Sequence, residues 1–157
     1  MTRPDAIARR AARVLVLDAA ARVLLLRGSD PARPDHRYWF TVGGGLDTGE
    51  TGPQGGAREL FEETGLRLAP EELGPPVWHE VTEFPFDGRW YRQEQEFYLT
   101  RVPELTVDFA GFNAIERRTV DGYRWWTVEE LRSTTERFYP VELPDLLDRL
   151  HGRAAPC

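Results

Sequence analysis

The chain has 157 residues, enough for one domain around a single core, and its 41% apolar and 11% aromatic content is ordinary for a globular protein. Its net charge is −6 and its 20 basic residues are all arginine, which disfavours a general nucleic-acid or anionic-membrane surface and excludes Schiff-base chemistry. The only cysteine, Cys157, permits no intramolecular disulfide, and no apolar run reaches membrane-spanning length, so a soluble, cytoplasmic protein is expected.

Taken in order, residues 1–10 read as a frayed end, and so do 152–157 at the other terminus. Arg9 and Arg10 precede an apolar stretch that Asp18, Arg22 and Arg27 interrupt, so it cannot serve as a signal core. Residues 13–18 and 22–27 form two β-like runs joined by three alanines, a hairpin expected to be buried on both faces. Residues 28–37 read as a loop, rich in Pro, Asp and Gly. A short strand over 38–42 delivers the chain to Gly43, Gly44 and Gly45, which are not expected to hold a regular element.

Thr51 followed by Gln54 makes a capping box, Pro53 suits the first helical turn, and Gly65 suits a left-handed end. These signals predict a helix over 52–64. A single helical turn over 70–73 and a hairpin over 77–86 and 90–102, turning at Asp87-Gly88, come next. Residues 103–120 read as irregular. A last strand over 123–126, a short helix capped by Thr127 with Glu130, and an amphipathic helix over 143–150 complete the chain.

The helix over 52–64 carries a conflict. Ala57, Leu60, Phe61 and Thr64 fall on one side, while Glu59, Glu62 and Glu63, spaced i, i+3 and i+4, fall on the other. Like charges at that spacing cost a few tenths of a kcal/mol each, roughly, and Gly55 and Gly56 cost about 1 kcal/mol each against alanine. A divalent cation on the acidic face would turn repulsion into ligation. Oxygen donors without Cys or His neighbours suit Mg²⁺ or Mn²⁺.

Gly44, Glu50, Arg58-Glu59-Leu60, Glu62-Glu63 and Gly65-Leu66, at these intervals, resemble the complete Nudix box of the Nudix hydrolase superfamily, with all nine specified positions filled. One departure is Val42, where relatives often have proline before the glycine run. The element order extends the resemblance to an α/β fold, a Nudix-like α/β/α sandwich with a mixed β-sheet.

The resemblance implies a metal-dependent hydrolase that cleaves the diphosphate linkage of a small nucleoside diphosphate derivative by water attack on phosphorus. It implies Glu59, Glu62 and Glu63 as metal ligands, with the Gly43 carbonyl completing the shell, and Mg²⁺ or Mn²⁺ as cofactor. Glu50 and Arg58 read as scaffolding, with Gly44 and Gly45 allowing close backbone approach. The general base is left open between Glu59 and a later acid, for which Glu116 and Glu96 rank above Glu94.

Arg27 and Trp39 are weaker candidates for substrate contact, a surface salt bridge and core packing being the competing fates. The partner expected is a small-molecule substrate, with no stable nucleic-acid partner, no membrane, and a homodimer compatible with the sequence. The alternative is a non-catalytic Nudix-like module that senses a nucleotide or nucleotide sugar. Retention of every box acid favours hydrolysis.

Overall fold

The computed structural model describes residues 3–154, so residues 1–2 and 155–157, Cys157 among them, lie outside, and with them those parts of the two ends expected to fray. Strand β1 (Ile7–Leu17) is central. It pairs in parallel with β5 (Arg89–Arg101) along its whole length, and antiparallel with the glycine end of β3 (Arg33–Gly45) through Ala11↔Gly45 to Val14↔Val42. Strand β2 (Val23–Asp30) lies between β3 and β6 (Val120–Trp126), while β4 (Trp78–Phe86) and the two-residue β7 (Phe138–Tyr139) sit outside β5 and β3. Parallel and antiparallel pairs share one sheet, so the sheet is mixed.

Alternation along β1 assigns its side chains to two cores. Ala12, Val14 and Val16 face α1 (Gly52–Thr64) and pack with Leu24, Leu26, Val42, Ala57 and Leu60. Leu15 and Leu17 face the other way, packing with Trp126 and with Leu131 of α3 (Val128–Ser133) and Leu143 to Leu150 of α4 (Leu143–Ala154). Helices therefore cover both faces, which makes the α/β/α sandwich and explains why β1 and β2 are apolar at successive positions. No helix among the described residues is long and apolar enough to cross a membrane.

Helix α1 begins and ends where its caps predict. Thr51 Oγ1 accepts from the Gln54 N–H, the Gln54 side chain accepts from the Thr51 N–H, and Gly65 takes φ 83°. Its local cost is met by burial. Leu60 is fully buried, which contributes about 1.5–3 kcal/mol and by itself offsets most of the penalty from the glycines and like charges. The glycines have a packing reason: a Cβ on Gly55 would collide with Leu46 Cδ2, and one on Gly56 would sit 3.0 Å from Leu73 Cδ1.

Six segments differ from the sequence expectation, one being the C-terminal helix, which runs on to Ala154 where the chain from 152 was expected to fray. Residues 7–10 are not frayed, because Ile7 to Arg10 pair with Tyr91 to Glu94 of β5. Most of 28–37 is strand rather than loop: Gly28, Ser29 and Asp30 pair with Tyr38, Arg37 and Arg33, and the turn between is fixed by the Ala32 N–H to Asp30 Oδ1 at 2.9 Å. The glycine run is strand as well, because β1 supplies a partner backbone. The span 103–120 contains a 3-10 turn (Phe109–Gly111) and α2 (Ala114–Thr119), the latter opened by an Asn113–Glu116 capping box. Finally, β7 follows β6, so β6 is not the last strand.

Replacing a helical glycine by alanine ordinarily stabilises by about 1 kcal/mol. Gly55→Ala is expected to gain less than that here, because the added Cβ must displace the tip of Leu46 and crowd Glu50. Urea denaturation of the two proteins checks the difference.

Candidate active site

The site grows from the end of β3. Gly43 has φ 135° and lies so close to the Ala12 and Arg13 backbone that no side chain fits. Its N–H donates to Glu63 Oε1 at 2.7 Å, and its carbonyl accepts from Arg13 Nη1 at 2.9 Å. Gly44 leaves room for the Glu59 carboxylate, whose Oε1 lies 2.8 Å from where a Cβ would stand. The strand thus adds no side chain of its own, and the glutamates of the helix reach its backbone directly.

Arg58, on the first half of α1, ties this region together. Its Nε and Nη2 donate to the two oxygens of Glu50, each at 2.9 Å, and Nη2 also donates to the Gly45 carbonyl at 3.0 Å. Its Nη1 donates to Glu59 Oε1 at 3.0 Å and reaches both Glu62 oxygens at 3.3 Å. Glu50 in turn accepts from the Asp47 N–H at 2.9 Å, closing the loop. The Arg58 fork holds the Glu50 carboxyl below its usual range, and Glu50 holds the Arg58 proton more tightly.

Behind Arg58 lies a carboxylate cluster. One oxygen each from Glu59, Glu63 and Glu116 lies within 4.8 Å of the others. Glu59 is 8% exposed and Glu63 2% exposed. Burial pushes the Glu59 carboxyl up to about 7, against the pull of Arg58 and with the push of Glu116 and Glu62. Glu63 is driven well above the usual range, first by burial and then by Glu59 and Glu116. Acids so buried and so close are relieved by a proton or by a cation, and three carboxylate donors without sulfur or imidazole would suit a hard divalent ion.

The other expected residues are placed as follows. Glu62 is turned to Arg58 with its side chain 32% exposed, outside the three-acid cluster. Glu96 accepts from the Tyr98 hydroxyl at 3.3 Å, and Glu94 lies 3.9 Å from Arg92; neither joins the cluster. Arg27 pairs with Asp121 at 2.9 Å. Trp39 is buried edge-to-face on Trp126 and donates Nε1 to Glu136 at 3.2 Å. Arg27 and Trp39 border one cavity of about 400 Å³.

Sequence reading passed over Arg13. It donates to the Thr41 and Gly43 carbonyls and to Gln95 Oε1, and Gln95 Nε2 donates on to Glu80 Oε1 at 2.5 Å. A basic residue opening an otherwise apolar strand was the available signal.

A NUDIX domain model matches residues 8–146. The chain belongs to the NUDIX family. Among curated relatives it is 29% identical over 100 residues to an RNA pyrophosphohydrolase of Wolbachia pipientis subsp. Culex pipiens, a match spanning 60% of this chain and 61% of that protein. It is 30% identical over 111 residues to an RNA pyrophosphohydrolase of Erythrobacter litoralis, spanning 59% of this chain and 61% of the relative. The chain thus covers about three-fifths of the length of these NUDIX relatives. Among solved structures, the MutT protein of Methanosarcina mazei Go1 superposes with a TM-score of 0.70 at 18% identity, over 98% of this chain and 100% of that one. A C. elegans Ap4A hydrolase follows at 0.60 and 19%, over 95% and 100%. At these identities the likeness is one of fold.

The pair Arg58–Glu50 is expected to be strongly coupled. In a double-mutant cycle of Arg58→Ala and Glu50→Gln followed by thermal melting, the double variant should be little worse than either single, and additive losses would contradict the pairing. The acid cluster sets a pH dependence in metal-free protein. Glu59 and Glu63 bind protons more tightly in the native chain than in the unfolded one, where a glutamate titrates near 4.5. Stability from this source is therefore full below that value and is lost as pH rises toward 7, by roughly 3 kcal/mol for Glu59 alone. Denaturation in EDTA across this range should show a smaller decline for Glu59→Gln than for the unaltered protein.

Proposed function

We propose that this chain is a metal-dependent hydrolase that cleaves the diphosphate linkage of a small nucleoside diphosphate derivative by water attack on phosphorus. The observation that carries the reading is the buried cluster of Glu59, Glu63 and Glu116 beside a strand with no side chains at Gly43, Gly44 and Gly45. Curated relatives named RNA pyrophosphohydrolase support phosphoanhydride chemistry, since that name implies cleavage of a phosphoanhydride.

Glu59, Glu63 and Glu116 would hold Mg²⁺ or Mn²⁺; the Gly43 carbonyl, expected as a further ligand, accepts from Arg13 Nη1 at 2.9 Å. Such an ion supplies neutralisation of the anionic diphosphate and polarisation of water. The chain's own part is placement. Arg58 and Glu50 fix the rotamer of Glu59 by occupying Oε1, while Oε2 accepts no hydrogen bond among the described residues. Glu59 Oε2 is therefore the atom left to ligate the ion or to accept a proton from the attacking water. Glu116, brought alongside by the Asn113 cap, ranks above Glu96 as the second candidate, because Glu96 stands apart with Tyr98. Glu62 steadies Arg58 from the other side.

Two measurements test this. Millimolar Mg²⁺ is expected to raise the melting temperature of the unaltered protein and of Glu96→Gln, and to lose most of that effect in Glu59→Gln and Glu116→Gln. In a phosphate-release screen over a nucleotide library with Mg²⁺ and Mn²⁺, Glu59→Gln should lower kcat by about 10²–10⁴ with KM far less affected. A protein that binds a nucleotide in this assay yet turns none over would favour the sensing alternative.

A further inference from the structure

Five arginines among the described residues are half-buried: Arg9, Arg13, Arg27, Arg58 and Arg92. Arg13 is hydrogen-bonded to Gln95 and two carbonyls, Arg27 is paired with Asp121, Arg58 with Glu50, and Arg92 with Glu94. The Arg9 side chain has no hydrogen bond and no carboxylate ion pair among the described residues. Its guanidinium lies 5.6 Å from the centre of the Tyr91 ring and packs on Gly45, its Nε standing 2.6 Å from where a Cβ would be. Burial and the neighbouring Arg13 both weigh against its charge. A half-buried cation that meets an aromatic ring but no hydrogen-bonded anion among the described residues has its donors free to take one.

Its position says which anion. Gly44 turns its missing side chain toward Glu59 on one face of β3, and Gly45 turns its own toward Arg9 on the other. Over these residues β3 has β1 on one side and no strand on the other. The acid cluster and Arg9 are thus separated only by bare backbone, and Arg9 feels the Glu59 charge across it. Glycine at both positions removes the side chains that would keep a bulky polyanion off the strand.

We propose that Arg9 is the anion anchor of the substrate, binding the phosphoryl group on the side of the diphosphate away from the acid cluster. This deepens the hydrolase reading and rests on its assignment of the acid cluster to the diphosphate. Arg9 is a positioning residue: it fixes where the anhydride lies relative to Glu59 and takes no proton. Tyr91, beside it on β5, extends the same face toward the rest of the substrate.

The test uses the non-hydrolysable α,β-methylene-ADP, titrated calorimetrically with Mg²⁺ present, and adenosine as the uncharged comparison. Arg9→Gln is expected to weaken methylene-ADP binding at least tenfold and leave adenosine unchanged, with Arg9→Lys between. Arg101→Gln, an exposed arginine at the far end of β5, should bind as the unaltered protein does. The ligand-free melting temperature of Arg9→Gln should be no lower than that of the unaltered protein, whereas loss of a structural arginine would lower it. Binding by Arg9→Gln within threefold of the unaltered protein, an equal loss for adenosine, or no methylene-ADP binding by the unaltered protein at millimolar concentration would each overturn the anchor. Intact methylene-ADP binding with no turnover of any hydrolysable nucleotide would instead sink the hydrolase reading and leave the anchor standing.

Discussion

The fork of hydrogen bonds from Arg58 decides how the rest of the site is arranged. One planar guanidinium reaches Glu50 in the loop, the Gly45 carbonyl on the strand, and Glu59 and Glu62 on its own helix. Lysine could not do this, since a single ammonium offers no fixed fork. The consequence is a division among the acids. Glu50 and Glu62 are compensated by Arg58 and lie toward solvent, while Glu63 is left facing Glu116 and the strand with no arginine of its own. Charge is therefore not spread evenly over the acidic face; it is concentrated at the buried end.

That concentration is tolerable only because the sheet below it is so well packed. The acid cluster is a destabilising feature, and burial around Leu60, Val14 and Val42 offsets it. Val42 matters in this respect. At the position where relatives often carry proline, it is fully buried under α1 and still donates its backbone to the ladder with Val14. Gly44 on the strand makes room for Glu59, and Gly56 on the helix faces Val14 and Ala12 of β1 with Leu73 beside them, so helix and sheet approach more closely there than larger side chains would allow. Local helix propensity has been exchanged for interlayer distance.

The second face of the sheet has its own polar chain. Arg13 is fixed between Gln95 and the carbonyls of Thr41 and Gly43, so the strand that orients Glu63 on one face is braced by a cation on the other. Gln93 donates Nε2 to Gln95 at 2.8 Å, and Gln95 donates to Glu80, a fixed direction of donation because the carboxylate end accepts. Geometry at the acid cluster thus depends on residues that never touch it.

How much of this could be read from the chain differs with the range of the interaction. Local signals were sufficient for α1, for the turn at Asp87-Gly88 and for the helix after Thr127, because caps and turn residues act within three or four positions. The Asn113–Glu116 box was equally local and was passed over, so α2 was legible and was read as irregular. Residues 28–30 and 43–45 could not be read as strand from composition. Glycine has no strand preference of its own, and it became strand here only because β1 and β3 supplied partner backbones from distant parts of the chain. In the same way the box spacing determined that Glu59, Glu62 and Glu63 share a helical face. Arg58 meets Glu62 at i, i+4 within the helix, so that pairing is local as well; only the tertiary structure decided that Glu116, more than fifty residues further on, would join Glu59 and Glu63. Helical periodicity sets direction around one axis; which carboxylates meet is set by what packs against that axis.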